Sequence, residues 1–406
     1  MKVLPQSFRS LTRRFSHRRA FSTKIAIAGC CHGHLDETYD QVAAAEARDG
    51  RPVDLLIISG DFQAIRNARD LACMSAPRKY RKLGDFYRYY TGQKRAPVLT
   101  LVVGGNHEAS NHFWELYHGG WLAPNIYHMG NVGCVQVNGL RVLGLSGIFN
   151  AGDYKLGHFE RLPYDGATLR SIYHVKMFDA FRASLLSPDL PIVVSHDWPQ
   201  NIAHYGDLQT LLKSKPGLKA DIDSGKLGSP PFMYLIKSHR PRWWFAAHHH
   251  VLFEATVPHD EVGTQTRFLA LDKCIPKCHY LEVMEVDTPQ PTTPSGTPTL
   301  AFDPEWLAIT RALHPWFSST MTQQELPSVA DARALVAKEL EWVENHIQKS
   351  SDGCIRVEDW QEFAPVAPGH DPDNETSSSN EQPPHYLNPQ TTAFCKMLGI
   401  EDKVNT

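Results

Sequence analysis

Five apolar runs spread over about 220 residues each end in side chains that ligate metal ions, and this ordered repetition leaves the chain few folds. The runs have strand length: Lys24–Gly29, Val53–Ser59, Val98–Val103, Leu190–Val194 and the apolar Trp243-Trp244-Phe245. Just beyond them stand Cys30-Cys31-His32, Gly60-Asp61, Gly105-Asn106-His107-Glu108, His196-Asp197 and His248-His249-His250. Helix-like stretches such as Asp36–Arg48 lie between, and strands alternating with helices predict an α/β core. Further β segments around Val132–Asn138, Arg141–Leu145 and Arg267–Leu271 predict a second sheet, with Tyr280–Val286 as a closing strand. In open α/β sheets the carboxyl ends of the strands form the binding crevice. Residues far apart in sequence are therefore expected to meet at one point. A lone His after a strand is usually a hydrogen bonder of the scaffold, but five such elements in order point to a metal centre.

The remaining chain divides by composition. Met1–Lys24 carries five Arg, two Lys and no acid, and three readings stay open for it: an organelle transit peptide, a nuclear-type basic patch, or a disordered extension over residues 1–23. Residues 24–287 form the expected catalytic domain, and residues 288–300 a Pro/Thr-rich linker that disfavours helix and strand. A smaller C-terminal module is expected over 301–406, with helices at Pro304–His314 and Ala330–Lys349 and a Pro/Ser/Asp/Asn-rich, disordered stretch at about 369–385. No apolar run approaches the roughly 18–20 residues that span a bilayer, so no membrane helix is expected. The formal charge of -3 falls to about -10 without the basic segment, so any nucleic-acid site must be local. Eight cysteines, two of them adjacent, argue for a reducing compartment over a disulfide scaffold.

The ordered motifs resemble those of the calcineurin-like metallophosphoesterases, which run D-x-H, G-D, G-N-H-E/D, H and G-H-x-H. Cys30 stands where that family has Asp, and one branch tolerates the change: the RNA lariat debranching enzymes. The stretches AGCCHG, GDFQA, GGNHEASNH, GHFE, RSIYH, SHDWP and ALDKC are similar to theirs, as are Phe302–Leu307 and Asn388–Thr392 in the C-terminal module. The resemblance implies a two-sheet α/β sandwich flanked by helices, with a small C-terminal module beside it.

The same resemblance, with the chemistry of the donors, implies the site. Asp61 would bridge two cations; Cys30, His32 and His250 would complete one site and Asn106, His196 and His248 the other. Imidazoles with a thiolate favour Fe(II) or Zn(II) over Mg(II), and Mn(II) is expected to substitute. The two-metal template implies in-line attack on phosphorus by hydroxide generated on a cation. His107 is expected to protonate the leaving 2′ oxygen, its alternative role being a hydrogen bond to phosphate. His249 and Cys31 are expected to be bystanders, Cys31 pointing away from the metals.

The implied substrate is branched intron lariat RNA, cut at its 2′–5′ bond, and nuclear residence would follow, with a mitochondrial form left open by the basic segment. Protein partners are not legible. Residues 147–176 match the family's lariat-recognition loop, and Tyr154, His158, Phe159, Tyr164, Tyr173 and His174 in it are expected to stack unpaired bases or to pack the loop. Arg66–Arg95 interleaves nine basic residues with five aromatics, either a backbone-tracking groove or an amphipathic helix. Cys274, Cys278 and His279 suggest a zinc site only weakly, since no second ligand pair follows at zinc spacing. Two rival functions remain. A protein phosphatase or general phosphodiesterase is disfavoured because Phe62-Gln63 replaces the phosphatase Asp-Arg-Gly continuation. A non-catalytic module is disfavoured by the intact donors.

Overall fold

In the computed structural model, residues 21–188, 190–288, 298–372 and 381–406 are described. Residues 1–20, most of the Pro/Thr linker and the centre of the 369–385 stretch lie outside them. The strands are β1 (Phe21–Ala28), β2 (Leu55–Ile58), β3 (Leu99–Val102), β4 (Gly120–Ala123), β5 (Ile126–His128), β6 (Val132–Val137), β7 (Leu140–Leu145), β8 (Ile192–Ser195), β9 (Trp243–Ala246), β10 (Phe253–His259), β11 (Thr264–Ala270), β12 (Leu281–Thr288), β13 (Leu300–Phe302) and β14 (Ile355–Arg356). They form a six-stranded sheet, β12-β1-β2-β3-β5-β4, and an eight-stranded one, β10-β11-β9-β8-β7-β6-β13-β14.

Burial follows strand period. Ile25 and Ile27 of β1 join the core shared with Val142 and Val193 of the second sheet. Ala26 and Ala28 point the other way, onto Leu35, Tyr39 and Val42 of the helix Leu35–Asp49. Strands β2 and β3, covered on both faces, are buried throughout, and Thr100 is the one polar residue in them. Strand β10, at a sheet edge, alternates buried and exposed residues along its whole length.

β1 starts at Phe21, earlier than the sequence boundary at Lys24, because β12 pairs with it antiparallel from Phe21↔Thr288 to Ala28↔Leu281. The C-terminal part extends the second sheet: β13 pairs with β6 and β14 pairs with β13. Leu300–Phe302 is too short for its period to be read from sequence, and its strand state comes from the edge of β6. Asp303 then caps the helix Pro304–Leu313, accepting from the Trp306 amide at 3.0 Å, while Arg141 of β7 grips the same carboxylate at 2.8 Å. Trp306, Leu307, Phe394 and Leu398 finish inside the core between the sheets.

Candidate metal centre

Strands β1, β2 and β3 run parallel in the first sheet, and β7, β8 and β9 in the second. Their carboxyl ends meet at one rim, which brings Cys30, Asp61, Asn106, His196 and His250 together. The donor atoms of Cys30, His32, Asp61 and His250 all lie within 4.8 Å of one another. His32 Nε2 and His250 Nε2 are 3.0 Å apart, and His32 Nε2 is 3.7 Å from Asp61 Oδ2. On the other side, His196 Nε2 lies 3.4 Å from Asp61 Oδ1 and 3.1 Å from Asn106 Oδ1. His248 sits against the His196 ring, centroids 5.0 Å apart. Asp61 is thus the hinge of two donor groups.

The backbone is bent to permit this. His32, Asp61, His248 and His250 all have left-handed φ, at 50°, 45°, 65° and 51°. Non-glycine residues seldom adopt that region, and clusters of them mark sites held by their surroundings. Gly60 has φ 106°, and a Cβ there would stand 2.2 Å from His196 Nδ1. A Cβ on Gly105 would stand 2.2 Å from Asp61 Oδ1. Both glycines are therefore required for close approach, whatever the turn.

Hydrogen bonds preset the protonation states. The His196 Nδ1–H donates to the Ser59 carbonyl at 2.9 Å, leaving Nε2 as the lone-pair donor. Burial lowers His196 to about 4 and His250 to about 3, so both are neutral near pH 7, the form that ligates. Burial pushes Asp61 up, but His196, His32, His107 and His248 outweigh it and hold the carboxylate below its ordinary range. The His107 amide donates to Asp61 Oδ1 at 2.9 Å, whereas the buried Oδ2 has no hydrogen-bond partner among the described residues. Burial, then Asp61, raise the Cys30 thiol well above its usual value, so it becomes a thiolate only with a cation beside it. An orphaned carboxylate oxygen, neutral imidazoles and a buried thiol fit divalent cations.

Comparison with known proteins places this geometry. Residues 23–252 match the calcineurin-like phosphoesterase family, and residues 263–403 match the lariat debranching enzyme C-terminal domain. The lariat debranching enzyme of Mus musculus is 43% identical over 392 residues, covering 93% of this chain and 68% of that protein. The chain belongs to the lariat debranching enzymes. The Homo sapiens enzyme is 43% identical over 386 residues, with 93% and 69% covered, and that of Arabidopsis thaliana is 41% identical over 377 residues, with 93% and 86% covered.

Two residues without an assigned sequence role help build this debranching-enzyme site. Glu108 accepts from the amides of Phe62, Gln63 and Gly105 at 2.8, 2.7 and 2.9 Å, tying the Asp61 and Asn106 turns together. Burial, then Asp61, raise it to about 8. The signal was its place at the end of Gly-Asn-His-Glu, but nothing local says that the carboxylate turns inward. Asp197 holds the start of the 147–176 loop by accepting from the Phe149 amide at 2.9 Å, and groups with His248 and His249. His249, expected as a bystander, rests its ring on Trp198 at 5.0 Å. Cys31 points away from the metal side, against Thr38.

The loop of residues 147–176 is only partly open. His158 was expected to face RNA; instead it is 1% exposed, with Nε2 2.9 Å from Asp179 Oδ2 and its ring packed on Trp114, Tyr117 and Phe317. Tyr164 is likewise buried. Both fill the space between loop and core, which spacing alone does not reveal. Tyr154 is half-buried against Phe149, and Phe159 carries the Lys176 ammonium 5.4 Å above its ring. Tyr173 and His174 line a recess of about 40 Å³ beside Gly105 and Ser146, Tyr173 pairing with Ser75 at 3.1 Å and His174 with Asp153 at 2.6 Å.

Arg66–Arg95 proves to be of two kinds. Arg66 is fully buried between Asp70 and Glu115, and Phe86, Tyr89 and Tyr90 are core residues. Tyr80 and Lys82 are exposed. Cys274 is buried beside Thr38, and His279 pairs with Glu282, so among the described residues the weak zinc pattern does not converge.

Proposed function

We propose that this chain hydrolyses the 2′–5′ phosphodiester bond at the branch of excised intron lariat RNA, opening the lariat for turnover. The observation that carries this reading is the convergence of six donor residues from both sheets on a seventh, Asp61, whose buried Oδ2 has no hydrogen-bond partner among the described residues. Cys30, His32 and His250 would hold one cation, Asn106, His196 and His248 the other, with Asp61 shared; Fe(II) and Zn(II) suit this set and Mn(II) would substitute. Divalent cations bound there would supply Lewis-acid charge for the phosphate oxygens and activation of water.

The protein's own groups do the rest. His107 lines the open cleft beside His32 and His250, with its backbone amide already spent on Asp61. Its ring is the proton donor to the leaving 2′ oxygen. Glu108 keeps the Asp61 turn rigid from behind. Tyr154, Phe159, Tyr173 and His174 take unpaired bases near the branch. Nuclear residence follows from such a substrate, and localisation of the tagged full chain by microscopy checks it.

The test compares a synthetic 2′–5′ branched RNA with a linear 3′–5′ RNA, anaerobically, with Fe(II), Zn(II) and Mn(II) supplied separately. Selective cleavage of the branch, lost in His107→Ala, supports the reading. Cleavage of generic phosphodiesters alone would sink the substrate assignment.

A further inference from the structure

Beside the metal centre, on the side of His32 and His250, lies a cleft of about 330 Å³. One wall carries Tyr80 and Lys82; the other carries Lys273 and Ile275; His107 and Gln63 sit at its base. Its composition is unlike that of the chain, whose formal charge is -3. No carboxylate lines it, and neither Lys82 nor Lys273 has a side-chain ion pair or hydrogen bond among the described residues.

Both walls are fixed. Ile65, Met74, Ala76 and Ala109, with Leu71 and Leu83, form a small apolar cluster under the Tyr80 segment. Arg81 closes that segment by donating to the Ala76 carbonyl at 2.8 Å. The opposite wall is tied to the first donor loop by the Cys274 amide, 2.9 Å from the Cys30 carbonyl. Yet Tyr80 is 60% exposed, a large ring held in water with the Lys79 ammonium 4.8 Å from its centroid. A solvent-facing ring on an anchored segment, flanked by lysines, is how proteins hold single-stranded nucleic acid: the ring stacks a base and the ammonium groups follow the backbone.

Tyr173 and His174 line the other recess, on the Ser146 side of the site. A branched RNA sends more than one arm away from its branch, so one recess cannot take them all. We infer that the Tyr80–Lys82–Lys273 cleft is a second RNA subsite, which seats an unpaired nucleotide of the arm directed away from the recognition loop, its base stacked on Tyr80 and its flanking phosphates on the two lysines. This rests on the proposed action on branched RNA.

The test uses branched RNAs whose arms are shortened one nucleotide at a time, cut by the metal-loaded full chain. Tyr80→Ala is expected to lower kcat/KM on long-armed RNA by about 10-fold, mostly through KM, as the loss of one stacked base should. Tyr80→Phe restores it, and the ratio of wild type to Tyr80→Ala falls towards one as one arm, and not the others, is trimmed. Replacing Lys82 and Lys273 by Ala flattens the slope of log KM against log salt by roughly 1.4, about 0.7 for each single-strand phosphate that a lysine no longer neutralises. Equal loss on every arm length, or no loss at all, would overturn the subsite. Should the wild type cut no branched RNA, the function reading falls first. Anisotropy titrations of the same RNAs then decide the subsite, weaker binding by Tyr80→Ala supporting it and unchanged binding refuting it.

Discussion

Arg66 shows how a single residue can mislead a reader of sequence. It opens a run of basic and aromatic residues, yet its guanidinium is sealed between Asp70 and Glu115, at 2.8 and 2.9 Å. Removing one member of such a buried cluster leaves uncompensated charge, which costs about 3–5 kcal/mol. Arg66→Met should therefore lower the urea midpoint strongly, and retained stability with weakened RNA binding would count against burial as its role. Buried histidines give a second prediction. His128, whose Nδ1–H donates to the Val102 carbonyl at 3.2 Å, is lowered by burial to about 3. An unfolded His protonates near pH 6.5, so between there and pH 3 only the unfolded state takes the proton and stability falls with pH. Each such His contributes a slope of about 1.4 kcal/mol per pH unit. His128→Gln should flatten the acid limb of urea-derived stability by that amount; an unchanged slope would contradict it.

At the scale of elements, the 147–176 loop is held by the C-terminal part of the chain. The Gly157 amide donates to the Met321 carbonyl at 3.1 Å, and the His158 amide to that of Ser318 at 2.9 Å. The Gln382 side chain brackets Tyr164, accepting from its amide at 2.6 Å and donating to its carbonyl at 2.7 Å. A Cβ at Gly157 would stand 2.3 Å from the Thr320 carbonyl, so Gly157→Ala must push the two segments apart. The expected result is a several-fold rise in KM for branched RNA with kcat for a minimal diester little changed, measured side by side. An equal fall in both would mean that the loop and the metal centre are not separable.

For the whole molecule, the second sheet is completed only by residues beyond the linker. Deleting residues 298–406 would bare the edge of β6 and the core face covered by Trp306, Leu307 and Phe394. An open, apolar strand edge is an aggregation site, so the truncated chain should be insoluble or unfold without a cooperative transition, as light scattering and calorimetry would show. A soluble, cooperatively melting chain of residues 1–297 would refute this. Much of the architecture was legible beforehand, because period-two burial and strand-end polar clusters are local signals: those clusters, the alternation of strands with helices and the closing strand β12 all follow from them, while the choice of seven donors within the clusters came from the resemblance to the family motifs. His158, Tyr164 and Arg66 were not legible, since a ring or guanidinium reads the same whether it meets RNA or another part of its own chain. Sequence by itself determined which donors stand at which strand ends; the packing of distant segments alone decided which polar and aromatic side chains remain in water, because burial depends on what covers a residue and not on its neighbours in the chain.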